Sequence, residues 1–152
     1  MKVVVFDLDG VNTAPVVKTL LAAKYPQAEI VVAKSSDKGD TRKTTSRFRK
    51  AAKTALSVDV EKISAVTLTA ELVSSADVIV YENGNNLNLA ARRLGKDFLV
   101  GKNVQNLALE PSGHHVEDTE LETYLKTIST KVEELQLDAP ASTTSAQPSA
   151  TA

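Results

Sequence analysis

Residues 4–15 read VVFDLDGVNTAP, and this stretch is the strongest indication of the fold. The mainly apolar residues 2–6 (KVVVF) are typical of a buried strand, which ends at the polar residues 7–10 (DLDG). Pro15 follows five residues after the glycine. Proline is tolerated in the first turn of a helix, because its missing N–H would have no partner there. The stretch therefore predicts a strand, a polar loop and a helix.

The alternation of strand and helix continues along the chain. Short apolar runs predict three more strands, at residues 29–33, 77–81 and 97–100. Helical patterns cover Thr41–Leu56, Thr69–Ser75, Asn85–Leu94 and about Val116 to Leu135. The last helix has one apolar stripe, formed by Leu121, Leu125, Ile128, Val132 and Leu135. Apolar strands that alternate with helices are typical of a parallel sheet covered on both faces. We therefore predict an α/β fold with three layers in the order α, β, α, in which the middle layer is a four-stranded parallel sheet.

Composition narrows the classes of function. The 152 residues include 18 basic and 19 acidic side chains and no cysteine. Disulfides, thiolate metal sites and thiol catalysis are therefore excluded, and the near-neutral charge gives no reason to expect nucleic acid or a membrane as partner. The apolar run at the start is too short for a signal peptide, which predicts a cytoplasmic protein.

The last fifteen residues differ from the rest of the chain. They read DAPASTTSAQPSATA and contain no large apolar side chain that could offset the entropy of ordering them. We predict one α/β domain over residues 1–137, followed by a disordered tail over residues 138–152.

The loop after the first strand should lie at the carboxyl edge of the sheet, where such folds bind ligands. Backbone N–H groups and the positive end of a helix dipole meet there and favour an anion, above all phosphate. The predicted anion-binding residues form the first loop: Leu8, Asp9, Gly10, Val11, Asn12, Thr13 and Ala14. Asp7 and Asp9 would repel phosphate unless a cation such as Mg²⁺ stood between them. A simple turn, in which these aspartates accept backbone N–H bonds, is the structural alternative.

Residues 6–11 (FDLDGV) resemble the first motif of the haloacid-dehalogenase-like phosphohydrolases. The resemblance implies Asp7 as nucleophile, Asp9 as general acid and base, and both as ligands of Mg²⁺. Three other motif positions would fall on Lys34, Ser35 and Glu82. The segment YENGNN lacks the expected pair of aspartates, so the similarity weakens away from the first motif.

A second resemblance covers residues 1–137 and involves the low-molecular-weight protein tyrosine phosphatases. Their first strand ends in Cys-x5-Arg-Ser-Pro, and residues 7–15 here read Asp-x5-Thr-Ala-Pro in the same register. Residues 65–89 resemble the family's segment of a short Leu-Thr helix, an Ala-Asp pair and a buried strand. Residues 107–137 resemble its ending, with an acid-Pro loop and a long amphipathic helix. We prefer this resemblance because of its coverage.

Carried over by position, this resemblance implies a degenerate site. The nucleophilic cysteine corresponds to Asp7, the phosphate-binding arginine to Thr13 and the assisting serine to Ala14, whereas the general acid becomes Glu110 before Pro111. A thiolate and a guanidinium are central to that mechanism. The resemblance therefore implies a protein without the cysteine-dependent phosphatase activity and without a cofactor, which binds an anionic or phosphorylated small molecule or a protein partner.

Thr41–Lys53 contains six basic residues and no acid. A solvated helix face is the simpler interpretation, and a surface for an acidic or phosphorylated partner is the alternative. An arginine or lysine from this segment could replace the guanidinium missing at Thr13. His114 and His115 indicate a surface loop better than a metal site. The asparagines around Gly84 are typical of a polar turn and helix cap.

Overall fold

The computed structural model describes residues 1–37, 42–110 and 117–137. Strands and helices alternate along these ranges. Their bounds are β1 Lys2–Asp7, α1 Thr13–Lys24, β2 Glu29–Lys34, α2 Ser46–Leu56, β3 Val66–Thr67, α3 Ala70–Ser75, β4 Val78–Tyr81, α4 Gly84–Leu94, β5 Asn103–Asn106 and α5 Asp118–Glu134.

The sheet is parallel and has the strand order β3-β2-β1-β4-β5, so β1 lies at its centre. Asp7 at the end of β1 is paired with Lys34 of β2, and Phe6 is paired with Tyr81 of β4. The first loop therefore begins between the ends of two neighbouring strands. This is the carboxyl edge at which such sheets bind ligands.

Alternate β1 side chains face two apolar cores, which confirms the three-layer prediction. Val3 and Val5 belong to one core together with residues of α1, α2 and α5, whereas Val4 and Phe6 belong to the other with residues of α3 and α4. β1 is therefore buried on both faces, as its continuous apolar sequence indicates. The apolar stripe of α5 is buried along its whole length, as predicted.

The predicted strand at residues 97–100 and the predicted number of four strands were both wrong. Residues 97–100 form a turn, in which the N–H of Phe98 bonds to the Gly95 carbonyl and that of Val100 to the Asp97 carbonyl. Leu99 is buried from this turn, which accounts for the apolar pattern. The strand beside β4 is instead the polar β5, and with the short β3 the sheet has five strands rather than four.

The long helices begin later than predicted. α2 starts at Ser46, because Lys43 and Thr44 pair with the segment at residues 63–64 and Thr45 then caps the helix by accepting the Phe48 N–H at 3.3 Å. α5 starts at Asp118. The predicted starts at residues 41 and 116 and the predicted tail at 138–152 lie outside the described residues. Within the described ranges, no helix is long and apolar enough to cross a membrane.

The chain after α5 is held against the edge of the sheet. The side-chain amide of Asn103, the first residue of β5, donates to the Leu137 carbonyl at 3.2 Å. Asn103 is paired with Val78, the first residue of β4. Leu137 is therefore fixed near the amino ends of the strands, whereas the first loop lies at their carboxyl ends.

Candidate functional site

The first loop encloses the carboxylate of Asp7. The Ala14 N–H donates to Oδ2 of Asp7 at 2.9 Å, and the Gly10 N–H donates to Oδ1. Asp7 is only 3 % exposed. Backbone N–H groups of the predicted anion-binding loop therefore do converge on an anionic group, but that group belongs to the chain itself.

Gly10 allows the loop to turn this tightly. Its φ of +69° lies in the left-handed region, and a Cβ at this position would overlap the Ala65 side chain and lie 3.3 Å from the Ala33 carbonyl oxygen. Asp9 supports the same turn, because its Oδ1 accepts the Val11 N–H at 3.0 Å. The structural alternative, a turn held by its own aspartates, is thus present in this loop.

Burial changes the acidity of Asp7. Loss of hydration raises the pKa of Asp7 to about 7, and the neighbouring Asp9 charge adds to the rise. Backbone N–H bonds from Ala14, Gly10 and Asp9 act in the opposite direction because they favour the ionised form. Asp7 therefore titrates close to neutral pH, although its environment contains hydrogen-bond donors.

A buried polar chain joins α1 and α5 to the end of β4. The hydroxyls of Thr13 and Tyr124 are 3.0 Å apart, and the Tyr124 hydroxyl donates to Oε1 of Glu82 at 3.4 Å. Since that hydroxyl donates to Glu82, it accepts from Thr13. Thr13 corresponds to the phosphate-binding arginine of the low-molecular-weight phosphatases, and here its hydroxyl bonds to a tyrosine.

Glu82 is the second buried acid of the site. It directly follows β4, and its N–H bonds to the Phe6 carbonyl at 3.2 Å, which places it beside Asp7. Burial raises the pKa of Glu82 to about 8, with a further contribution from the Asp7 charge. Burial and the Glu82 charge also raise the pKa of the Tyr124 hydroxyl. Two acids therefore adjoin each other in a poorly hydrated place.

The carboxylates do not fit a magnesium site. Mg²⁺ requires oxygen ligands directed at one point. Both Asp7 oxygens accept backbone N–H bonds, while those of Asp9 face the Val11 N–H and the Arg42 guanidinium. No group of three His, Asp or Glu residues suited to a metal occurs in the described part of the chain. The geometry thus does not support the predicted use of Asp7 and Asp9 as metal ligands.

Arg42 reaches the rim of the first loop, where it pairs with the Asp9 carboxylate at 3.4 Å. The side chains of Arg42 and Asp9 are 65 % and 40 % exposed, so water screens this pair and it contributes little to stability. Other basic residues of the segment bind nearby groups, as in the pairs Arg47–Asp118 and Lys53–Asp59. Arg42 thus meets an acid at the rim instead of supplying a guanidinium at Thr13.

Glu110 is exposed beside a cleft of about 570 Å³ between the end of β5 and α5. Tyr124 also lines this cleft, so the polar chain connects it with the first loop. Pro111, His114 and His115 lie outside the described residues. Asn83 caps α4 by accepting the N–H groups of Asn85 and Asn86, and it donates to the Leu109 carbonyl at 2.9 Å. The asparagine cluster therefore contains a helix cap, as predicted.

Sequence reasoning missed Tyr124 and recognised Glu82 only as a poor motif match. Tyr124 directly precedes Leu125 of the apolar stripe, and its hydroxyl bonds to a residue 111 positions away. Its position on the buried face was the available signal, because a buried tyrosine usually has a hydrogen-bond partner.

No family model and no curated protein matches the sequence. Solved structures do match. The Wzb protein of Vibrio vulnificus in complex with benzylphosphonate is 16 % identical with a TM-score of 0.74, over 87 % of this chain and 94 % of that chain. The Erwinia amylovora tyrosine phosphatase AmsI is 16 % identical with a TM-score of 0.72, over 87 % and 88 % of the two chains. A low-molecular-weight protein tyrosine phosphatase from T. tengcongensis is 13 % identical with a TM-score of 0.71, over 88 % and 95 %.

These likenesses define the fold. The chain has the α/β fold of the low-molecular-weight protein tyrosine phosphatases, so the fold implied by the second resemblance is confirmed. The sequence has no cysteine, and the residue at the end of β1 is Asp7.

Proposed function

We propose that this protein does not hydrolyse phosphate monoesters and that it acts by binding an anionic ligand or a protein partner at the first-loop end of the sheet. The observation that supports the loss of hydrolysis is the contact of the Asp7 carboxylate with the Gly10 and Ala14 N–H groups. These donors would otherwise be directed at an incoming phosphoryl group.

The contacts of the site oppose hydrolysis. An attacking carboxylate needs an oxygen with access to phosphorus, whereas each Asp7 oxygen accepts a backbone N–H bond and the side chain is buried. Thr13 donates its hydroxyl to Tyr124 and carries no positive charge. A phosphoryl group would also meet the charge of Asp9, which is paired with Arg42 only at the rim.

The outer surface of the same loop is suited to binding. Leu8 is 50 % exposed, and it lies next to the exposed pair of Asp9 and Arg42. An apolar side chain beside two opposite charges offers a protein partner both apolar contact and polar bonds. The Vibrio vulnificus structure contains benzylphosphonate, so one protein of this fold binds an anionic ligand.

Turnover of p-nitrophenyl phosphate by the full chain, with and without Mg²⁺, tests the loss of activity. We expect no turnover above the rate without protein, in the wild-type chain as in an Asp7→Asn variant, whose side chain cannot act as a nucleophile. Asp97→Asn, a change at an exposed aspartate, serves as the matched control. Turnover by the wild-type chain would overturn the proposal, and its disappearance in Asp7→Asn but not in Asp97→Asn would assign it to Asp7.

The binding role is tested by the melting temperature in the presence of phosphate, sulfate or phosphotyrosine, because a ligand that prefers the folded state raises it. We expect a rise with at least one of these anions, and also in Asp97→Asn. If none of them raises it, anion binding is refuted, and the protein partner alone remains as the proposed ligand.

A further inference from the structure

Asp7 and Glu82 occupy neighbouring places at the carboxyl edge of the sheet. Asp7 ends β1, and Glu82 follows β4 with its N–H bonded to the Phe6 carbonyl. The two residues are 3 % and 6 % exposed. The Asp7 charge acts on Glu82, and two interacting carboxylates in a poorly hydrated place do not both ionise readily, because each disfavours the charge of the other.

The hydrogen bonds of the two acids are unequal. The Asp7 oxygens accept backbone N–H bonds from Gly10 and Ala14, and these bonds favour its ionised form. The bond described for Glu82 comes from the Tyr124 hydroxyl and is longer, at 3.4 Å. The charge is therefore better placed on Asp7 and the proton on Glu82.

We infer that Asp7 and Glu82 lose their protons in that order around neutral pH, so that between the two steps Asp7 is ionised and Glu82 holds the one remaining proton, and that loss of this proton is a switch acting on the contact between the first loop and α5. Tyr124 carries the effect, since its hydroxyl touches both Glu82 and Thr13. The switch acts on the site of the proposed function, but its test measures ionisation rather than turnover or binding, so the two can fail independently.

The other charged groups around the two acids are Asp9, Arg42 and Lys34. Asp9 in the first loop raises the pKa of both acids, and its own exposed carboxylate pairs with Arg42. Lys34 of β2 is paired with Asp7 in the sheet and is buried.

An ordered pair gives an asymmetric result when either acid is removed. Glu82 is still neutral when Asp7 loses its proton, so Glu82→Gln should leave the pKa of Asp7 unchanged. Asp7 is already charged when Glu82 titrates, so Asp7→Asn should lower the pKa of Glu82. Carboxyl carbon NMR signals of the full-length protein, followed through a pH titration, measure both values. Equal effects of the two changes, or both acids ionised below about pH 6, would overturn the inference.

Tyr124→Phe keeps the test decisive if Asp7→Asn does not fold. The Tyr124 bond favours the ionised form of Glu82. Its loss should therefore raise the pKa of Glu82 further and leave that of Asp7 unchanged. An unchanged pKa of Glu82 in Tyr124→Phe would contradict the inference.

The switch itself has a separate readout in the ring signals of Tyr124, which packs edge-on against Phe48 with ring centroids 6.5 Å apart. We expect these signals to shift with the midpoint of Glu82 in the wild-type protein and in the control Glu61→Gln, a change at an exposed glutamate. The shift should disappear in Glu82→Gln. Tyr124 signals that do not follow the titration of Glu82 would refute the switch.

Discussion

The Ala14 N–H donates to Oδ2 of Asp7 at 2.9 Å, so the last residue of the central strand bonds to the first turn of the helix that follows it. The bond satisfies an N–H that has no partner within the helix and places a carboxylate at the positive end of the helix dipole. Asn12 is at the N-cap position, but its side chain does not bond to the helix. Asp7 therefore acts as the cap of α1.

Stability should fall as the pH rises from about 5 to about 8. Asp7 and Glu82 have raised pKa values in the folded protein, of about 7 and about 8, so the folded state binds more protons than the unfolded state in this range. The two protonated side chains contribute their full stability below the pKa values that they have in the unfolded chain. This stability is lost as the pH rises through their pKa values in the folded protein. We expect each group to contribute a loss of roughly 3 kcal/mol, measurable as the free energy of unfolding in urea.

Glu82→Gln isolates one part of that effect. The glutamine amide keeps an acceptor for Tyr124 and has no charge to bury, so the variant should be more stable than the wild-type protein at about pH 8 and lose less stability with rising pH. Glu61→Gln is the exposed control and should follow the wild-type curve. A wild-type slope retained in Glu82→Gln would mean that Glu82 is already ionised at low pH.

Gly10→Ala should destabilise the protein by several kcal/mol or prevent folding, because the new Cβ would overlap Ala65 at a positive φ. Removal of the opposing methyl group in Gly10→Ala/Ala65→Gly should recover the part of this loss that is due to overlap. The part due to the backbone conformation, about 1 kcal/mol, should remain. Urea unfolding of the two variants and of Ala65→Gly alone measures both parts. No recovery in the double variant would show that overlap with Ala65 is not the cause.

Ser57→Gly should stabilise the protein by about 0.5–1 kcal/mol. Ser57 is an exposed residue with φ +55° at the C-terminal end of α2, where its N–H bonds to the Lys53 carbonyl. Glycine adopts this conformation without the strain of a Cβ. Thr54→Gly, inside the same helix and also exposed, should have the opposite effect. Thermal unfolding measures both, and a loss of stability in Ser57→Gly would contradict the expectation.

Tyr124→Phe should cost about 1–3 kcal/mol, because the buried Thr13 hydroxyl and Glu82 lose a partner. Thr13→Val removes one end of the same chain. A double-mutant cycle should therefore give a coupling energy between the two changes of about 1 kcal/mol. Thr123→Val, at an exposed position of α5, is the control and should change stability by less than about 0.5 kcal/mol. Additive effects would show that the two hydroxyls do not stabilise each other.

The elements that the sequence predicts well are those with long apolar patterns. β1 and α5 are buried where their spacing indicates, because burial on both faces or along one stripe leaves a clear pattern. β5 was missed because NVQN has no apolar alternation. It lies at the sheet edge, and the side chains of Asn103 and Gln105 bond to each other at 2.8 Å. Residues 97–100 were predicted as a strand because they are mainly apolar, but they form a turn whose Leu99 side chain is buried in the core.

The candidate site was located from the sequence, but its contacts were not. The apolar run that ends in Asp7 predicts a polar loop at the carboxyl edge of the sheet. The backbone N–H groups could face an external ligand or the Asp7 carboxylate. The conformation of Gly10, which packs closely against Ala65, decides between the two. The link from Thr13 through Tyr124 to Glu82 joins residues that are far apart in sequence, and no local pattern reports such a contact.

The bond between Asn103 and Leu137 determines how the protein can be tethered in binding experiments. Because Leu137 is fixed near the amino ends of the strands, an affinity handle or a biotinylated peptide attached after it would begin on the side away from Leu8 and Arg42. A sensor surface coated in this way would present the first loop to the dissolved analyte. Attachment directly after Leu137 thus suits a search for a partner of this loop.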